Sequence, residues 1–91
     1  MSAGYVLTRR TQRDLNRIRA YIAQDSPRAA VHFIEGPIEE FDQIAAFPFM
    51  AQAVARNPRF RRLPYGAYVI FYEVAEPDVV IRSIEHSATL K

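Results

Sequence analysis

The spacing of apolar residues changes once along the chain, and this change restricts the fold more than any other feature. From Arg9 to Phe47, apolar side chains recur every three or four residues, the spacing of one face of a helix. From Phe60 onwards they alternate with other residues or run together, which is typical of strands. Helices followed by strands predict an α+β fold, with the helices packed on one face of an antiparallel sheet.

A first helix is predicted over residues 9–24. Thr8 precedes it and is an acceptable N-cap, because its hydroxyl oxygen accepts from an N–H that has no partner within the helix. The predicted inner face carries a stripe of apolar residues, namely Leu15, Ile18 and Ile22, with Tyr21 beside them. Arginines occupy the other side, so the outer face of this helix is predicted to be basic.

A second helix is predicted over residues 27–47. Ser26 is its N-cap, and Pro27 takes the first helical position, where a missing N–H costs nothing. Gly36-Pro37 interrupts the pattern, so a kink or a break is expected there. Because only two or three residues separate the helices, they form an antiparallel hairpin. The predicted inner face is Ala30, Ile34, Ile38, Phe41 and Ala45, widened by Phe33 and Ile44.

Four strands are predicted, at residues 5–7, 60–63, 67–74 and 79–85. The turns between the last three are Pro64-Tyr65-Gly66 and Glu76-Pro77-Asp78. Residues 48–58 are predicted to form a loop, with a short helical turn at residues 51–55. The expected order is βααβββ, a single domain over residues 1–91 with three to four antiparallel strands and the first strand at one edge.

This arrangement leaves one face of the sheet without a cover. Four strands are roughly as wide as two helices, so a helical hairpin covers one face and no more. Residues 67–74 are nevertheless apolar on both sides, as in strands that are buried on both faces. Another macromolecule is expected to cover the second face, because the loop at residues 48–58 is long enough to cover only part of it. The isolated chain is therefore expected to aggregate or to bind a hydrophobic dye.

Composition excludes several kinds of site. The chain has no cysteine, which excludes disulfides and cysteine-ligated metals. Its three glycines form no phosphate-binding loop, and His32 and His86 stand apart from other metal ligands. No metal, cofactor or catalytic residue is predicted. No apolar run reaches the ~20 residues that span a bilayer, and no secretory signal is visible, so a cytoplasmic protein without a membrane partner is expected.

Charge is segregated along the chain, although the net charge is only +2. Residues 1–30 and 56–66 each carry a net +4, whereas residues 31–55 carry −4. The strongest binding candidates are Arg59, Arg61 and Arg62, and alternation along a strand is expected to place Arg59 and Arg61 on one side. Three interpretations are open: a charged edge that resists aggregation, contact with a protein partner, and contact with nucleic acid.

Four short patterns follow one another along essentially the whole chain. They are Asp14-Leu15-x-x-Ile18-x-x-Tyr21-Ile22, Ser26-Pro27-x-Ala29-Ala30, Arg62-Leu63-Pro64-x-Gly66-x-Tyr68-Val69-Ile70-Phe71-Tyr72 and Val80-Ile81-x-x-Ile84-x-His86. In this order they resemble the ParE/RelE toxin superfamily of type II toxin–antitoxin systems. The resemblance implies a helical hairpin on a twisted sheet, and a cognate ParD-like antitoxin from an adjacent gene that wraps the toxin. Candidate residues for binding antitoxin or target are Arg59, Arg61, Arg62, Tyr68, Tyr72, Arg82 and His86.

The superfamily has two functional branches. The RelE-like branch is a ribosome-dependent endoribonuclease, which cleaves mRNA in the ribosomal A site with basic and tyrosyl side chains; the ParE-like branch poisons DNA gyrase. Val69 stands where the nuclease branch usually has an arginine, and no tyrosine follows His86. The resemblance therefore favours a ParE-like gyrase inhibitor that is not an enzyme and does not bind nucleic acid directly. The alternatives are the ribosome-dependent nuclease and a homologue that binds antitoxin but has lost toxicity, since Thr89 replaces an arginine common in the ParE branch.

Overall fold

The computed structural model describes residues 4–33, 35–54 and 57–89. Within these residues there are three helical segments and five strands, and a short 3₁₀ turn, Ser87–Thr89, comes after the last strand. The elements are β1 (Tyr5–Leu7), α1 (Arg9–Asp25), α2 (Pro27–Phe33), α3 (Glu35–Ala46), β2 (Gln52–Val54), β3 (Asn57–Tyr65), β4 (Tyr68–Ala75) and β5 (Asp78–His86). The predicted α+β class, with its helical hairpin and sheet, is confirmed.

The helix boundaries follow from local chemistry. Thr8 and Ser26 cap α1 and α2 as predicted, and each hydroxyl oxygen accepts an N–H from three residues further on at 3.1 Å. Gly36 and Pro37 lie inside α3, and residue 34, between the described ends of α2 and α3, is outside the described residues, so the kink or break predicted at this pair stays a prediction.

The sheet has five strands in the order β1-β5-β4-β3-β2. β3, β4 and β5 form the predicted antiparallel meander, but two edges differ from expectation. β1 lies at one edge as predicted, yet it runs parallel to β5, with Val6 opposite Val80. At the other edge, β2 replaces the helical turn predicted at residues 51–55, and Gln52 lies opposite Arg62. Residue 55 is outside the described residues. Three residues are too few to show a period, so pairing with the free edge of β3 decides their conformation.

The turn between β3 and β4 is shorter than predicted. Gly66, at φ 59, and Ala67 form it, because glycine adopts this left-handed conformation without strain. Pro64 lies inside β3 opposite Val69 rather than in the turn. β2 begins at Gln52, opposite Arg62, so among the described residues the other edge of β3 has no strand partner at Pro64, and a missing N–H is tolerated there. The next turn contains a cis Glu76–Pro77 peptide bond.

The core lies between the helices and the inner face of β4 and β5. Its most buried members are Phe41, Ile44, Ile70, Tyr72 and Ile81. The predicted contributions of Ile18, Phe41 and Ala45 are confirmed, whereas Ile38 and Tyr21 are exposed. Ile34, also predicted on this face, lies outside the described residues.

The outer face of the sheet, turned away from the helices, is not the bare apolar surface that was predicted. Charged side chains lie over it: Glu73 is flanked by Arg59 and Arg82, and the guanidinium of Arg62 is 6.0 Å from the centre of the Phe71 ring. Among the described residues of this face, Val6 is the single large apolar side chain that is mostly exposed, at 52%. The loop that was considered as a partial cover for this face instead contacts the inner side, through Tyr72.

Side chains of α1 satisfy the part of the β5 edge that β1 does not reach. Pairing with β1 stops at Ile81. There the buried hydroxyl of Thr11 donates to the Ile81 carbonyl at 2.6 Å, and Asp14 Oδ2 accepts the Ile84 N–H at 3.0 Å. Asp14 is buried, and its other oxygen accepts from Arg17 Nη2 at 2.9 Å. The helix thus supplies hydrogen-bond partners that a further strand would otherwise provide.

Asp14→Ala is expected to destabilise the fold by about 2–3 kcal/mol, because it leaves the buried Ile84 N–H without an acceptor. For a domain of this size the melting temperature falls by roughly 10 °C or more. Denaturant unfolding measures the change, with the exposed Asp25→Ala as the matched control. Equal losses of stability for the two variants would show that the hydrogen bond from the Ile84 N–H to Asp14 contributes no stability of its own.

Candidate functional site

The seven residues predicted from the sequence do not form one site. They fall into three groups, which are Arg59, Arg62 and Arg82 on the outer face, Arg61 and Tyr72 on the inner face, and Tyr68 and His86 at the end of the β4–β5 hairpin. The prediction that Arg59 and Arg61 share one side is not met. Residues 58–60 form a bulge between β2 and β3, so simple alternation does not hold along this segment.

A carboxylate lies at the centre of the arginines of the outer face. Glu73 Oε2 is 3.9 Å from Arg59 Nη1, and Oε1 is 3.6 Å from Arg82 Nη1. The Glu73 side chain is only 18% exposed, so its charge is screened less than that of a surface residue. A second pair on this face joins Glu85 to Arg10 at 3.2 Å. The outer face is therefore a layer of paired charges rather than a purely basic surface.

Arg61 and Tyr72 both hold the segment that follows α3. The Tyr72 hydroxyl donates to the Pro48 carbonyl at 2.7 Å, and Arg61 Nη1 donates to the Ala51 carbonyl at 3.0 Å. The Arg61 guanidinium also lies 4.9 Å from the centre of the Phe49 ring. Tyr72 is fully buried in this structure, and its predicted contact with a partner stays a prediction. Its role in this structure is to position the chain above it.

A groove of about 280 Å³ lies between α1 and the end of the β4–β5 hairpin. It is lined by Arg17, Ile18, Tyr21, Tyr68, Ile84 and His86. The Tyr68 and His86 rings meet edge to face at 5.3 Å, so the structure brings these two predicted residues together. Arg17 and Tyr21 line this groove but are not among the seven residues predicted from the sequence. The sequence signal that could have identified this groove is Tyr21, a large aromatic residue between the apolar stripe and the basic outer face of the first helix.

Two tyrosines differ from the ordinary titration behaviour of this side chain. Burial raises the pKa of Tyr72, and the charge of Arg61 only partly offsets this effect. Burial, with the nearby carboxylates of Glu40 and Glu39, raises the pKa of Tyr65. Folding therefore favours the neutral form of both phenols.

This preference predicts a loss of stability at alkaline pH. The contribution is fully present below the unfolded pKa of about 10 and is lost as the pH rises through the higher folded value. The free energy of unfolding should fall above about pH 10, and Tyr72→Phe should reduce that slope. Tyr21→Phe, at an exposed ring, is the control. Denaturant titrations between pH 8 and pH 11 measure the slopes, and identical slopes for Tyr72→Phe and wild type would contradict the prediction.

No helix in the described parts of the chain is long and apolar enough to cross a membrane. Within the same residues, no group of three or more His, Cys, Asp or Glu side chains is placed to hold a metal ion.

Two solved structures show where this fold occurs. The chain is similar to one in the chromosomal ParDE toxin–antitoxin system from P. aeruginosa, with a TM-score of 0.77, 18% identity, and coverage of 93% of this chain and 96% of that chain. It is also similar to one in the RelBE2 toxin–antitoxin complex from Mycobacterium tuberculosis, with a TM-score of 0.61, 17% identity, and coverage of 94% and 99%. The fold is thus one that occurs in toxin–antitoxin complexes.

The sequence comparisons assign the family. Residues 5–90 match the family model of the ParE toxin of the type II toxin–antitoxin system, parDE. Toxin RelE3 of Caulobacter vibrioides is 31% identical over 80 residues, which cover 86% of this chain and 87% of that protein. Toxin RelE1 of the same organism is 30% identical over 90 residues, covering 94% and 95%. The chain belongs to the ParE toxin family of type II toxin–antitoxin systems, and the resemblance inferred from its sequence is confirmed.

Proposed function

We propose that this toxin acts in the cytoplasm as a protein-binding inhibitor of DNA gyrase and is not a nuclease. The observation that carries the proposal is the position of Glu73 between Arg59 and Arg82 on the outer face. RNA cleavage needs cations that are free to stabilise the extra negative charge of the transition state. Here two of the three arginines already face a carboxylate, and that carboxylate repels a phosphate.

The placement of the tyrosines supports the same proposal. Tyr68 and Tyr72 lie on the inner side of β4, whereas Arg62, Glu73 and Arg82 lie on the outer side. A tyrosyl proton donor or acceptor must be within hydrogen-bond reach of the substrate that the cations hold. The sheet itself separates these tyrosines from the outer arginines. Tests of gyrase supercoiling and of mRNA integrity on ribosomes, with the purified chain, distinguish inhibitor from nuclease.

A second candidate function, ribosome-dependent cleavage of mRNA, is favoured by two observations. The relatives from Caulobacter vibrioides carry the name RelE, the branch for which the sequence resemblance implies this activity. In addition, Arg62 has no carboxylate within 4 Å among the described residues, so its charge is available on the outer face. One free arginine is nevertheless a weak basis for a phosphate site.

The proposed partner that controls the toxin is an antitoxin encoded by the adjacent gene. Both similar structures come from toxin–antitoxin systems, which supports this assignment. We expect a segment of the antitoxin that is disordered when free and folds along the toxin. Its acidic residues are expected to meet Arg59, Arg61 and Arg62, where complementary charge favours binding.

A further inference from the structure

The segment between α3 and β2 exposes three large apolar side chains next to one another. This segment, residues 47–50, is called the apolar turn. The exposed fractions of Phe47, Phe49 and Met50 are 62%, 55% and 48%. The Met50 N–H donates to the Phe47 carbonyl at 3.0 Å, so the chain bends back and keeps these side chains within one short turn. Exposed apolar groups clustered in this way are typical of surfaces that bind another molecule.

The apolar turn is held from three sides. The Phe47 N–H donates to the Gln43 carbonyl at 2.9 Å, which joins the turn to the end of α3. Tyr72 holds the Pro48 carbonyl from the core, and Arg61 holds the carbonyl of the buried Ala51. A surface that is fixed before binding loses little conformational entropy when a partner docks. The buried Tyr72 hydroxyl thus acts on a partner through the geometry of the turn.

The charge beside the apolar turn indicates the chemistry of the partner. The Arg61 guanidinium lies over the Phe49 ring and donates from Nε to the Pro58 carbonyl at 2.7 Å. Within the described part of the chain, no carboxylate lies within 4 Å of it. Carbonyl groups orient this cation without neutralising it. A segment with apolar residues flanked by carboxylates complements both the apolar turn and the unpaired arginine.

We infer that the apolar turn is an anchoring site for the acidic, amphipathic segment of the antitoxin, with Tyr72 as a positioning residue. This inference rests on the proposed function, in which an antitoxin is the partner. It adds an apolar anchor, formed by Phe47, Phe49 and Met50, to the arginine contacts already proposed. It also accounts for three large apolar side chains that the fold leaves in water.

The test measures the affinity of the toxin for the purified product of the adjacent antitoxin gene. The variant Phe49→Ser with Met50→Ser is expected to weaken binding by about 100-fold, the effect of removing two anchor side chains. The matched control, Val31→Ser with Ile38→Ser, removes two side chains on the helices that are 69% and 41% exposed and should change affinity less than about twofold. Thermal unfolding of each variant confirms that it is folded.

Tyr72→Phe tests the positioning role. It should weaken antitoxin binding by about fivefold in the wild type. In the Phe49→Ser, Met50→Ser background its effect should be much smaller, because two of the three anchors of the turn that it positions are then absent. Equal effects in both backgrounds would show that Tyr72 contributes only to the fold and would overturn this role.

The other outcomes are distinct. If wild type binds the antitoxin and the double variant binds as tightly, the anchoring site is overturned while the proposed antitoxin partnership stands. If wild type does not bind at all, both fail. A photo-crosslinking residue at position 49 should cross-link to the antitoxin; cross-links to a second copy of the toxin instead would identify a self-association surface and overturn the inference.

Discussion

Expression of this toxin without its antitoxin is expected to stop DNA replication while translation continues at first. Inhibited gyrase leaves supercoils or cleaved DNA, so cells should filament and show a DNA-damage response. mRNA should remain intact, because loss of even one contact that stabilises the transition-state charge costs a nuclease ~3 kcal/mol, or about a hundredfold in rate. In this chain Val69 provides no such contact, and Glu73 forms ion pairs with two of the three arginines on the outer face.

Pulse labelling of DNA and protein after induction measures this expectation, with co-expression of the antitoxin as the control. The purified toxin should inhibit supercoiling by gyrase and leave mRNA on programmed ribosomes uncut. Rapid arrest of translation with cuts phased to codons would replace the gyrase proposal with the nuclease. A folded protein that produces no phenotype would indicate lost toxicity, and Thr89 would be the first position to restore to arginine.

Reversing the charges of Arg59, Arg61 and Arg62 to glutamate is expected to weaken the complex with the antitoxin by roughly 1,000-fold. Charge pairs across an interface contribute several kcal/mol in favourable cases, and like charges repel. Arg61 and Arg62 should dominate, because among the described residues neither has a carboxylate within 4 Å, whereas Arg59 already pairs with Glu73. Titration calorimetry at two salt concentrations measures the loss.

A control with the same change of net charge is available on the helices. Arg13, Arg19 and Arg28 are exposed on α1 and α2, and their triple reversal should weaken binding by less than about tenfold. Similar losses for the two triple variants would indicate long-range attraction without a defined site. Unchanged affinity on reversal of Arg59, Arg61 and Arg62 would remove them from the interface.

Local chemistry was sufficient to predict the helices and the central hairpin. Thr8, Ser26 and Pro27 determine where the helices begin through side-chain and ring effects that act within a few residues. Gly66 determines a turn in the same way. These local effects do not depend on the rest of the fold, so helix starts and this turn can be predicted from a single sequence.

The remaining differences arise from contacts between distant parts of the chain. Gln52–Val54 becomes a strand because an unpaired edge of β3 is beside it, and nothing in three residues indicates that edge. The bulge at residues 58–60 separates Arg59 from Arg61, which alternation alone placed together. The outer face is covered by long arginine and glutamate side chains that extend over their apolar neighbours. The pattern of apolar residues in the sequence does not reveal this cover.

The parallel pairing of β1 with β5 makes the start of the chain depend on a strand near the other end of the sequence. Tyr5 lies opposite Val79, and Asp14 accepts a hydrogen bond from Ile84. During synthesis the ribosome releases residues 5–14 long before residues 79–84 exist, so neither contact forms on a partial chain. The part of the toxin surface that includes β5 is therefore completed only after residues 79–84 have been synthesised. An antitoxin that is already present in the cell before that point meets a nascent chain in which β1 has not yet paired with β5.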